Sequence, residues 1–111
     1  MLNTHDVILE RKIGSMFPDR KGEVAALLSE YGNKADDREP TRVRLAIVKL
    51  SGGNYNKLGE YVQIAKQDYR DVLAWAEYPE EIGSKSWELS TAEVDKIRER
   101  DLDQYRQWLD E

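Results

Sequence analysis

The run from Asn54 to Pro79, NYNKLGEYVQIAKQDYRDVLAWAEYP, constrains the fold more than any other stretch of the chain. Its apolar residues Leu58, Tyr61, Val62, Ala65, Tyr69, Val72, Leu73 and Ala76 recur at steps of three and four. At about 100° per residue they share one face of an α-helix. The pattern predicts one long helix over about 55–77, closed before Pro79, with its neighbours burying their apolar sides against it.

Four further helices are predicted around this rod. Residues 4–17 open the fold, with Thr4 as N-cap, Asp6 near the positive helix end and Leu9, Ile13, Met16 and Phe17 inward. A second helix lies within 19–32, capped by Asp19, carrying Val24, Leu27, Leu28 and Tyr31 and stopped by Gly32. The stretch 33–40 reads as an exposed loop. A third helix follows, capped by Thr41, with Val43, Ala46, Ile47 and Leu50 as its inward stripe and Gly52-Gly53 closing it. So brief a turn into the long helix makes the two antiparallel. Residues 79–89 form a linker pinned by Ile82, Trp87 and Leu89. Ser90-Thr91-Ala92-Glu93 is a capping box that launches a last helix to about Asp110, with Val94, Ile97, Tyr105, Trp108 and Leu109 inward and the stripe interrupted at Asp101. The expectation is a single all-α domain over 1–111, a bundle of about five helices around the long rod.

Composition then removes several chemistries. The absence of cysteine excludes disulfides, thiolate nucleophiles and Cys-based zinc sites, and suits a reducing cytoplasm. With no apolar run of about 18 residues, no membrane partner is expected. The net charge of −5 is concentrated from Glu77 onward, where 11 acids face 5 bases. Nucleic acid is therefore not an expected partner, because such binding rests on clustered Lys and Arg. A basic face would need Arg42, Arg44, Lys49 and Lys57 together. The sole histidine, His5, stands without other nitrogen or sulfur ligands and reads as a solvated side chain.

The feature with most functional content is a second line on the long helix. Ile64, Asp68, Asp71 and Trp75 follow at steps of four, three and four, with Tyr78 beyond. One reading is a partner-binding stripe, anchored by Trp75 with the two acids selecting a basic ligand; were the face buried, the acids would need donors such as Arg42, Arg44 or Arg70. The other reading is architectural, with Trp108 of the last helix covering Trp75. A different class of function would use Asp68 and Asp71 as metal ligands or catalytic carboxylates, joined by Glu60 or Glu77, though no Glu-x-x-His pair accompanies them. No cofactor is expected: Gly52-Gly53 lacks the surroundings of a phosphate loop or a GxGxxG turn. The expected function is thus a non-catalytic protein-interaction or accessory module, with homo-oligomerisation as one form of it.

Gly53-Asn54-Tyr55 with Leu58, Tyr61-Val62 and Ala65 is similar to the second-helix half of a tetratricopeptide repeat. The similarity covers one repeat helix, lacks the closing proline and has no second copy, so it reads as convergence on helical-hairpin packing.

Overall fold

A computed structural model describes residues 4–32, 37–84 and 88–111. The fold is all-α, and among the described residues seven helices follow in order: α1 Thr4–Met16, α2 Lys21–Leu28, α3 Pro40–Ser51, α4 Tyr55–Gln67, α5 Tyr69–Glu77, α6 Pro79–Gly83 and α7 Thr91–Asp110.

The predicted long helix is two helices. At Asp68 the backbone turns extended, with φ −154° and ψ 100°. The Asp68 amide still donates to Ile64 O at 2.9 Å, completing α4, while its carboxylate accepts from Arg70 N at 3.0 Å and starts α5. A short acidic side chain competes for backbone N–H groups in this way and is among the best N-caps known. The next acid, Asp71, falls in the first turn of α5, beside the positive end of that helix. The i, i+3 spacing that suggested paired ligands is therefore the spacing of an N-cap and its N3 residue.

The break moves the centre of the fold to α3. Val43, Leu45, Ala46, Ile47 and Val48 are all buried, and at about 100° per residue they cover every side of the helix. Its neighbours are α1, α4 and α5. Thr41, expected as a cap, instead donates from Oγ1 to Asp6 Oδ1 at 2.7 Å. Pro40 takes the first helical position, where a missing N–H costs nothing, and Glu39 precedes it as N-cap. The Thr41–Asp6 bond joins the starts of α1 and α3. At their other ends Met16 O lies near Gly53, so the two run parallel.

The other expected features meet the structure one by one. Asp19 caps nothing, because Phe17 O accepts from Arg20 N at 3.1 Å across a Pro18-Asp19 turn and α2 begins only at Lys21. Gly32 and Gly52-Gly53 all have positive φ, as chain-reversing glycines should. Ser90 caps α7 as expected, with Glu93 N donating to Ser90 Oγ at 3.2 Å, while the Glu93 carboxylate accepts from the Ser90 hydroxyl at 3.2 Å. In the expected linker, Pro79–Gly83 is a short helix and Ile82 is exposed, while Trp87 lies outside the described residues.

Helix α7 braces the assembly along its length. Near its end the ammonium of Lys12 sits 4.4 Å from the Trp108 ring, and Arg11 donates to Leu109 O. Basic groups of α1 thus meet carbonyls at the negative end of α7. Further back, Gln104 donates to Ala76 O at 3.3 Å. The apparent interruption of its apolar stripe has a purpose. Asp101 is 2% exposed and its two oxygens accept from Glu80 N and Glu81 N, each at 3.0 Å. With Tyr78 at the N-cap position making no side-chain bond, Asp101 caps α6 from another helix.

Beneath α7 a polar cluster lies at the edge of the core. Arg42 grips Glu77 with two bonds, Nε at 2.8 Å and Nη2 at 2.6 Å, and this pairing holds the guanidinium firmly protonated. Lys49 donates to Ala76 O at 2.9 Å, and burial lowers its pKa, opposed by the charge of Asp101. The hydroxyl of Tyr105 is buried with no hydrogen-bond partner among the described residues. Burial and the nearby Glu77 raise its pKa further above the usual phenol value. A hydroxyl enclosed without a partner carries an uncompensated desolvation cost. Tyr105→Phe is therefore expected to raise stability by about 1 kcal/mol in a denaturant melt. Loss of stability on that change would show that the hydroxyl is satisfied.

Candidate functional site

The aromatic edge between α4 and α5 is the surface most suited to recognition. Tyr61 and Trp75 are 14 residues apart, which on a straight helix would separate them by about 21 Å. Across the Asp68 corner their ring centroids are 6.3 Å apart, inclined at 66°. This edge-to-face geometry holds the indole in place from one side. The other side is open, and Trp75 is 37% exposed. Trp108 does not cover it; that ring packs with Tyr105 and Lys12.

The remaining residues of the predicted stripe separate. Asp71 is exposed one turn before Trp75 on α5. Ile64 packs half-buried against the core from α4, one turn after Tyr61. Tyr78 is half-buried at the joint between α5 and α6, near Arg98. Asp68 sits at the corner itself, gripped by Arg70 through Nε at 3.0 Å and Nη2 at 3.2 Å, which lowers its pKa. One line on one helix has become an edge of Tyr61, Trp75 and Asp71, with a separate corner at Asp68. Periodicity places Tyr61 on the core face alone, and its contact with Trp75 follows only from the break.

Several of the acids and bases that could carry chemistry are held in structural bonds. Asp68 is committed as a cap and to Arg70, and among the described residues no three His, Asp or Glu stand together as a metal site. Arg42 holds Glu77, Lys49 holds Ala76 O, and Arg44 donates to Leu28 O and Tyr31 O at 3.1 and 2.6 Å. Those three bases do not converge on a free basic face. His5 is exposed. Among the described residues, no helix is long and apolar enough to cross a membrane.

A second feature lies at the same corner, on the side of the α2–α3 connection. Where α4 and α5 part, a cleft of about 350 Å³ opens between Tyr31, Asp37, Arg38 and residues 65–70. Tyr31 donates to Arg38 O at 2.7 Å, and burial with the charge of Asp37 pushes its pKa up to about 12. No protein-family model, curated protein or solved structure matches the chain.

Proposed function

We propose that the protein is a non-catalytic interaction module that captures a short segment of another protein on the Tyr61–Trp75 edge. The observation that carries this reading is an indole 37% exposed yet fixed from one side by Tyr61. Large, rigid, partly desolvated aromatics are the usual anchors of binding hot spots. The edge is narrow compared with the roughly 800 Å² per partner of a stable interface. A transient contact with a short segment suits it better than a permanent second copy. Exposed Asp71, one turn before Trp75, favours a partner that sets Arg or Lys beside an apolar side chain.

The test is an NMR titration of the Trp75 indole N–H with a helical peptide carrying leucines and arginines at four-residue spacing. A saturable shift is expected, with Trp75→Ala weakening binding by at least about tenfold and leaving the far-UV circular dichroism unchanged. Asp71→Lys should weaken it severalfold while lowering the melting midpoint only slightly, the midpoint loss reflecting the charge removed from the positive end of α5. A response unaltered by either substitution overturns the reading. So does concentration-dependent dimerisation abolished by Trp75→Ala, since the occupant would then be a second copy.

A further inference from the structure

The cleft at the Asp68 corner has a mismatch between its donors and its acceptors. Its two carboxylates are already used: Asp37 Oδ2 accepts from Gly32 N at 2.8 Å, and Asp68 takes three bonds from Arg70. Its cations are largely unused. Among the described residues, no hydrogen bond or ion pair engages the Arg38 guanidinium, which is exposed at the rim. Lys66 has one loose pairing, 3.7 Å from Glu30, with both side chains well exposed. Arg70 spends Nε and Nη2 on Asp68 and keeps Nη1. The floor is aromatic, with Tyr31 buried and Tyr69 half-buried. Donors in excess, spent acceptors and an aromatic wall favour a ligand that brings acceptor oxygens on a compact apolar body. A volume of about 350 Å³ lies within the range of small-molecule sites.

We propose that this cleft binds a small organic phosphate, its oxygens held by Arg38 and Lys66 and its organic portion laid against Tyr69. A guanidinium presents paired N–H groups that match phosphate oxygens, and a lysine adds a mobile point charge. The fixed corner at Asp68 keeps the wall of the site in place, because the carboxylate that might repel the ligand is tied to Arg70. The site does not include Trp75, so it stands independently of the interaction edge.

Phenyl phosphate, inorganic phosphate and benzoate are the probes, each titrated at constant ionic strength and followed by amide chemical shifts. Phenyl phosphate should shift residues 37, 38 and 66–70 saturably and bind about tenfold tighter than inorganic phosphate, the difference reporting the aromatic wall. Benzoate should bind more weakly than phenyl phosphate. Arg38→Ala and Lys66→Gln should each weaken phenyl phosphate by about fivefold or more while leaving the melting midpoint unchanged, as both side chains are exposed. The proposal fails if the shifts are spread over the surface, if Arg38→Ala and Lys66→Gln bind phenyl phosphate as the parent does, or if benzoate matches phenyl phosphate. That last outcome would make the site one for carboxylates in general.

Discussion

Asp101→Ala is expected to destabilise the protein by about 3 kcal/mol and to lower its melting midpoint by on the order of 10–20 °C. An acid in a helix dense with acids would ordinarily be dispensable, and the size of the effect comes from what this one holds. Its two oxygens satisfy the Glu80 and Glu81 amides at the start of α6, and hydrogen bonds to a charged acceptor are worth about 1.5–3 kcal/mol each. Alanine removes both and withdraws the negative charge that opposes the desolvation of Lys49. The Lys49 pKa should fall further in the variant. A pKa depressed by folding penalises the native state while the lysine is charged, and rising pH relieves that penalty between the folded pKa and the ordinary lysine value of 10.5. Asp101→Ala should thus recover part of its lost stability toward pH 10. Asp101→Asn, which keeps one acceptor oxygen, should fall between the two. Asp103→Ala serves as the control: its carboxylate is exposed and pairs with exposed Arg106 at 3.6 Å. Hydrogen exchange should show the loss concentrated in α6 and the first half of α7. Equal behaviour of Asp101→Ala and Asp103→Ala would show that no tertiary cap exists.

What could be read from the residues divides along a physical line. The helical class, the core residues of 55–77, the glycine reversals and the Ser90 cap are all local signals of period or capping, and each holds in the fold. The break at Asp68 escapes a periodicity argument because both helices that meet at this one extended residue turn their apolar faces to the same α3. Leu58, Val62, Ala65, Val72, Leu73 and Ala76 are buried whether the helix is one or two. The signal that could have found it was chemical: Asp68 followed three residues later by Asp71 is an N-cap pattern inside an apparent helix. The Tyr61–Trp75 edge follows from that break and was therefore unreadable as a site. Asp101 is harder still. Nothing near it in sequence announces α6, and its partner amides lie about 20 residues away. A polar residue at an inward position was the clue, since buried acids are bonded to something.

The place of α3 at the centre gives the second large effect, on a residue outside the stripe that periodicity assigned. Val43, Ala46, Ile47 and Leu50 define one inward face, which leaves Leu45 and Val48 pointing away from it. In the structure both are buried, on the side that Thr41 ties to α1, and the unbroken run Leu45-Ala46-Ile47-Val48 marks a helix enclosed all round. Leu45→Ala should therefore cost about 3–4 kcal/mol, the sum of lost transfer energy and the cavity left in packing that cannot fully collapse. Leu50→Ala, at a stripe position that is half-buried, should cost distinctly less. The two models of the fold order these variants oppositely. If α3 merely leaned one face on a long rod, Leu45 would be the tolerant position and Leu50 the sensitive one. Urea melts of both proteins, read for midpoint at constant slope, decide between them. A Leu45→Ala midpoint at or above that of Leu50→Ala would remove α3 from the centre and restore the 55–77 segment as the organising element.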